Sequence, residues 1–192
     1  KLGIRLPKFM NPYYIFSDDD HLNPSSRVYI VDGFWQNKLF LNEDFLSSIR
    51  GQLLAPYHQE DPSYVCVHIR RGDYLINPNA SVLHITYYKK AIELLADKIQ
   101  NPRFHIFSDD ESWVETEFLG DPRVIIAPTA KLSPLEVLKS MSSYKNYIIA
   151  NSTLSWWAAT LSLANDKIVV LPKQWGNMLD SYNFALNEWI QI

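Results

Sequence analysis

The sequence has a single cysteine, Cys66, so no disulfide can close within the chain and a cysteine-built zinc site is excluded. Its five histidines, His21, His58, His68, His84 and His105, are scattered without the spacing of a metal-ligand set. No apolar run reaches the roughly 18 residues that a membrane-spanning helix needs, and nothing resembles the charged and apolar regions of a signal peptide. An excess of positive charge is missing too. With 18 Lys and Arg against 21 Asp and Glu, the formal net charge is −3, which removes the global field that non-specific nucleic-acid binding relies on. Any basic site must be local.

What remains describes a folded domain: 47% hydrophobic and 20% charged residues in 192, enough for one large or two small domains with a real core. Cys66 lies inside an apolar run, where a thiol is ordinarily plain core. That run is the most informative stretch, SYVCVHIRRGDY over residues 63–74. Residues 64–69 are nearly continuous in hydrophobicity and rich in β-branched side chains, which predicts a strand covered on both faces of a parallel sheet. The polar cluster at its end then sits at the carboxyl edge, where open α/β sheets bind ligands. Arg70 and Arg71 offer donor forks for phosphate oxygens, and Gly72 lets the backbone turn closely around a ligand. The competing reading is solvated surface charge, with Arg71 paired to Asp73.

Residues 1–58 mix aromatic residues, prolines and short polar clusters, with a strand expected over 27–31 and a helix over 42–54. Asp18, Asp19 and Asp20 contain a D-x-D pattern that suits either a divalent metal on a nucleotide or a plain loop cluster. From residue 63 onward strand-like runs recur at 64–69, 104–107, 124–127, 147–150 and 168–171. Between the first two, Tyr88, Ala91, Ile92, Leu95 and Ile99 mark a helix over 86–99, and Ser133-Pro134-Leu135-Glu136 is a capping box opening another to about residue 141. Alternating strands and helices predict parallel strands with right-handed crossovers, so residues 63–171 form one doubly wound, Rossmann-like unit.

Three strand ends carry unusual polar residues that this architecture brings to one crevice. The first holds His68, Arg70, Arg71 and Asp73. The second is Ser108-Asp109-Asp110, where S-D-D-E up to Glu111 reads either as a capping box or as a carboxylate site for a guanine edge or ribose hydroxyls. The third is Asn151-Ser152-Thr153 with Ser155, opening a helix that has no acidic residue until Asp166. A helix start with hydroxyls and no acid is a phosphate seat, or else Ser152 or Thr153 simply caps it. Trp156 and Trp157 suit the core better than a stacking platform. Asp73, beside arginine, is a weak candidate for a general base; His68 lies on the same side of the strand as Arg70 and is the other candidate.

Together HIRRGDY, FSDD and NSTLSWWAA, in this order, resemble the three motifs of the α-1,2-fucosyltransferases of glycosyltransferase family 11. Gly33-Phe34-Trp35-Gln36 and the closing PKQW and NEWIQI segments are similar as well, so the resemblance runs from about residue 32 to the end. It implies a GT-B architecture with residues 61–192 as the C-terminal, donor-binding Rossmann-like half and residues 1–60 as a remnant of the acceptor-side domain and linker. It also implies inverting, metal-independent transfer of L-fucose from GDP-fucose to the 2-hydroxyl of a terminal galactose, with no cofactor. Carried over, Arg70 and Arg71 bind the diphosphate, Asp109 or Asp110 the guanine or ribose, and Ser152, Thr153 and Ser155 the phosphates, with Ser108 and Asn151 also among the donor-binding residues. His68 and Asp73 line the site. The family's glycine-rich G-G-L-G-N-Q-type opening has no match here, which leaves the expectation of a partial chain.

A non-catalytic sugar-nucleotide-binding module is the alternative of another class, and a metal-dependent transferase built on Asp18 and Asp20 a distant third. Partners are expected to be GDP-fucose and a galactose-terminated glycan, without nucleic acid. The absence of disulfides, together with N-glycosylation patterns at Asn79 and at Asn151 inside the proposed site, points to a bacterial cytoplasmic enzyme, peripheral to the inner membrane.

Overall fold

The computed structural model describes residues 13–16, 28–31, 41–54, 58–78, 80–176, 179–180, 185–186 and 188–192. The Asp18–Asp20 pattern, Gly33–Gln36 and Asn79 lie outside them. Strands β1 (Tyr13–Phe16) and β2 (Val28–Val31) form a parallel two-stranded sheet, the second over the segment where the sequence predicts one. Helix α1 (Glu43–Leu53) comes next, capped by Asn42, whose side chain accepts the Phe45 N–H at 2.7 Å.

The apolar runs then build the main sheet. Strands β3 (Tyr64–Ile69), β4 (Arg103–Ser108), β5 (Val124–Ile126), β6 (Asn146–Ile148), β7 (Val169–Leu171) and β10 (Ile190–Gln191) pair in parallel in the order β10-β7-β6-β3-β4-β5. Gln174–Gly176 and Leu179–Asp180, β8 and β9, form a small antiparallel pair. The chain steps from β3 outward through β4 and β5, then returns to lay β6 against the other side of β3. That is the doubly wound order, and its reversal point lies between β3 and β6.

Period-two alternation sends side chains to opposite faces. On one face Val65, Val67, Ile69, Phe104 and Ile106 bury against Tyr88, Ala91, Ile92 and Leu95 of α2 (Ile85–Ala96) and Val114 of α3 (Glu111–Glu117). On the other, Cys66, Phe107, Tyr147 and Ile149 meet Met141 of α4 (Pro134–Ser142) and Trp156, Ala158 and Ala159 of α5 (Thr153–Leu161). Both faces are therefore covered, as the unbroken hydrophobicity of β3 requires. Leu46 and Leu54 of the α1 segment pack with Leu161 of α5.

The predicted capping box at Ser133 is present, with Glu136 returning to the Ser133 N–H at 2.7 Å. The one expected at Ser108 is not. Helix α3 is capped two residues later by Asp110, which accepts the Trp113 N–H at 3.2 Å, while Ser108 Oγ accepts the Asp110 N–H at 3.0 Å. The sheet also reaches beyond residue 171, because Ile190 and Gln191 add a sixth strand alongside Val170 and Leu171.

Helix α5 is fixed at one end and open at the other. Its amino terminus opens at the β3/β6 reversal, and its carboxyl end is held by two cations. Arg50 donates to the carbonyls of Leu161 and Thr160 at 3.1 Å each, and Lys167 to those of Ala159 and Ser162 at 2.8 and 3.0 Å. These bonds satisfy carbonyls that a helix end leaves unpaired, and they place positive charge at the negative end of the dipole. Burial, with Arg50 close by, pulls the Lys167 ammonium down to about 8.

Candidate functional site

Where β3 ends, the chain turns sharply through Gly72 into a single 3-10 turn, Asp73–Leu75. The turn is braced from β4. Asp109 accepts the Arg71 backbone N–H through one oxygen at 2.9 Å and pairs with Arg70 Nη1 through the other at 2.8 Å. A Cβ at position 72 would lie 2.6 Å from that second oxygen, so only glycine leaves room for the brace. Arg70 Nη2 also pairs with Asp73 at 2.6 Å. The Arg71–Asp73 pair anticipated from spacing does not form: Arg71 Nε binds Asp110 at 3.0 Å, and its guanidinium lies over the Trp113 ring at 4.1 Å. Tyr74 donates to the Asn151 carbonyl at 3.0 Å, tying the end of β3 to the end of β6.

Above the carboxyl ends of β6, β3 and β4, and roofed by α4 and α5, lies a cavity of about 920 Å³, within the range of small-molecule sites. Of the residues singled out from the sequence, His68, Arg70, Asp73, Ser108, Asp109, Ser152 and Thr153 line it. Arg71, Asp110, Asn151 and Ser155 do not. Arg71 and Asp110 are turned toward α3 by their ion pair. Asn151 is 3% exposed, with its amide donating to the Ser81 and Trp175 carbonyls at 2.8 and 2.9 Å, so the glycosylation pattern there is unreachable in the folded chain. Ser155 is wholly buried, and its hydroxyl donates to the backbone of Ala150 and Ser152.

At the α5 mouth Ser152 occupies the cap position, yet its side chain makes no capping hydrogen bond and the first turn holds no acid. Simple capping by Ser152 is thereby ruled out, and among the described residues no side chain caps the leading N–H groups of the helix. Such an end carries partial positive charge and presents donors to an anion. His68, 4% exposed, is pulled down to about 4 by burial, with Asp109 opposing the shift and Arg70 adding to it. The imidazole is neutral at physiological pH, and its buried Nδ1 has no hydrogen-bond partner among the described residues. Those residues also bring together no group of three side chains able to hold a metal ion.

The cavity has further walls that motif spacing did not reveal. Trp157 lines it, in contrast to Trp156, which is fully buried in the core as expected of both. Glu111 and Thr129 face it from the ends of β4 and β5, and Leu132, Pro134, Val137 and Leu138 supply an apolar side. The break between the tryptophans is a matter of helical phase, since adjacent residues on α5 point about 100° apart.

At the reversal point of the doubly wound sheet, a guanidinium, hydroxyls and an unmatched helix amino terminus together offer the donors and positive charge that an anionic group requires. The model of Glycosyl transferase family 11 matches residues 6–192, and the chain belongs to that family of glycosyltransferases. It is 34% identical over 190 residues to the O-antigen biosynthesis glycosyltransferase WbnK of Escherichia coli, an alignment covering 95% of this chain and 61% of that protein. To an alpha-1,2-colitosyltransferase of Escherichia coli it is 31% identical over 181 residues, 83% of this chain and again 61% of the relative. The chain thus spans about three fifths of the length of these curated relatives. No helix among the described residues is long and apolar enough to cross a membrane.

Proposed function

We propose that the chain is the donor-binding part of an α-1,2-fucosyltransferase of GT-B architecture, taking GDP-fucose as donor and the 2-hydroxyl of a terminal galactose as acceptor. Residues 61–192 are the donor domain and residues 1–60 belong to the acceptor side. The observation that carries this reading is the meeting of Arg70, Ser152 and Thr153 around one cavity at the mouth of α5. The diphosphate sits between the Arg70 guanidinium and the α5 amides. Arg71, stacked on Trp113 and paired with Asp110, sets the turn that aims Arg70.

The acceptor oxygen attacks the anomeric carbon from the face opposite the diphosphate, and the bond from that carbon to the β-phosphate oxygen breaks. The electron pair stays with GDP, and the anomeric configuration inverts. Charge grows on the departing oxygen as the bond lengthens, so a fixed guanidinium and helix amides stabilise the transition state more than the ground state. These two sources of positive charge do the work a divalent ion does elsewhere, and the reaction needs none. His68 and Asp73 line the cavity as candidates to take the acceptor's proton, Asp73 the weaker because it is paired with Arg70. The enzyme works in the bacterial cytoplasm, peripheral to the inner membrane, on a glycan precursor.

One relative is named for colitose, so the donor sugar is the point to test. Turnover of a galactoside is to be measured with GDP-fucose, GDP-linked colitose, GDP-mannose and UDP-galactose, with magnesium and with chelator, and product anomers read by NMR. A β-configured donor giving an α-linked product from GDP-fucose, unaffected by chelator, supports the reading. Binding of GDP-fucose without turnover by the full-length protein shows instead a sugar-nucleotide-binding module.

A further inference from the structure

Four carboxylates stand at the top of the sheet around the nucleotide cavity, and three are spent on arginine. Asp73 and Asp109 pair with Arg70 at 2.6 and 2.8 Å, and Asp110 pairs with Arg71 at 3.0 Å while capping α3. Glu111, the remaining one, has no cation partner among the described residues. Its Oε1 accepts the Thr129 hydroxyl at 3.2 Å, the same hydroxyl reaches the Ser108 carbonyl at 3.2 Å, and Oε2 makes no hydrogen bond there. Glu111 and Thr129 both line the cavity.

The strand order fixes where this carboxylate stands. Along the top of the sheet come β6 with Ser152 and Thr153, β3 with Arg70, β4 leading to Glu111, and β5 leading to Thr129. Neighbouring strands lie about 4.8 Å apart, so Glu111 is one strand beyond the arginine and roughly 10 Å from the β6 end. A nucleoside diphosphate with its phosphates at the α5 mouth and Arg70, laid across β3 toward β4, would bring its ribose to Glu111. A carboxylate standing there can accept from both hydroxyls of a ribose, since its two oxygens match a vicinal diol.

We infer that Glu111 holds the ribose of the nucleotide donor, accepting from its 2′- and 3′-hydroxyls, and that Thr129 fixes the carboxylate for this contact. Asp109 and Asp110, the residues the sequence nominated for the nucleoside, instead hold the arginines in place. The inference rests on the nucleotide-sugar function proposed for this cavity but not on which base the donor carries, since ribose is common to all.

The test is titration calorimetry of wild type, E111Q and T129V with GDP and 2′-deoxy-GDP, alongside ADP, UDP and CDP with their 2′-deoxy forms. Wild type should bind the ribonucleotide roughly tenfold more tightly than its deoxy form, the size of one hydrogen bond to a charged group. E111Q should lose that preference, binding both forms about as weakly as wild type binds the deoxy one, and T129V should fall between. Thermal unfolding of E111Q should match wild type, because the side chain makes one hydrogen bond. Equal losses on both forms, or no loss in E111Q, overturn the ribose assignment while leaving the nucleotide reading intact. Preference for another nucleoside diphosphate over GDP overturns the donor assignment, and the ribose contact is then read on that nucleotide pair. Failure of wild type to bind any of the four overturns both.

Discussion

Asp109 holds Arg70 from the neighbouring strand, 2.8 Å from its guanidinium, while its second oxygen accepts the N–H of the next residue at 2.9 Å. One carboxylate at the end of β4 therefore sets both the backbone and the side chain at the end of β3. Preorganisation of this kind removes the cost of ordering a long arginine when the ligand arrives.

Gly72→Ala tests the brace. A Cβ there lies 2.6 Å from Asp109 Oδ2, so the carboxylate must leave Arg70 or the turn must open. We expect a stability loss of about 1–2 kcal/mol by denaturant unfolding, the size of one or two weakened hydrogen bonds, together with weaker GDP binding. Unchanged stability and affinity would show that the close approach is not needed.

The two arginines should behave differently. Arg70 faces the cavity, and Arg70→Ala is expected to cost GDP affinity by roughly ten- to a hundredfold while the fold persists. Arg71 stacks on Trp113 and pairs with Asp110, so Arg71→Ala should cost stability along with a smaller share of affinity. Calorimetry beside thermal unfolding separates them, and equal affinity losses at equal stability would contradict the assignment.

Acid should destabilise the protein through His68. The folded imidazole takes up a proton only near pH 4, whereas the unfolded one does so near its ordinary 6.5. Between those values the unfolded chain binds more protons, so stability is full above about 6.5, falls as pH drops toward 4, and levels off below. The size is on the order of 3 kcal/mol. His105, also lowered by burial, acts in the same direction, so the measurement is the difference between wild type and His68→Gln across that window. Parallel pH profiles for the two would refute the buried neutral imidazole.

The adjacent tryptophans should part company. Trp156→Ala empties a fully buried site and should cost about 3–5 kcal/mol. Trp157→Ala removes a cavity wall, so it should weaken ligand binding at a smaller stability cost. Reversed ranks in unfolding and binding assays would mean that the helix faces the other way.

Legibility in the sequence tracks the range of the forces. Strands β3, β4, β5 and β7 emerge from short apolar runs, and α2 and α4 from spacing and a capping box, because these signals are local. The sixth strand, Ile190–Gln191, is too short to alternate and exists because β7 offers an open edge. Site chemistry is harder to read, since pairing decides it. Arg71 binds Asp110 across 39 residues rather than Asp73 two residues away, and Asn151 spends its amide on carbonyls 70 and 24 residues distant. Glu111 reads as a capping-box residue only while Ser108 is taken as the cap, and Asp110 holds that position instead.

The most direct measurement is a crystal structure of the protein with GDP bound. The β-phosphate is expected within hydrogen-bond reach of the Arg70 guanidinium and the leading amides of α5, between the ends of β3 and β6. A diphosphate seated away from Arg70, or on another edge of the sheet, would contradict the donor site proposed for this chain.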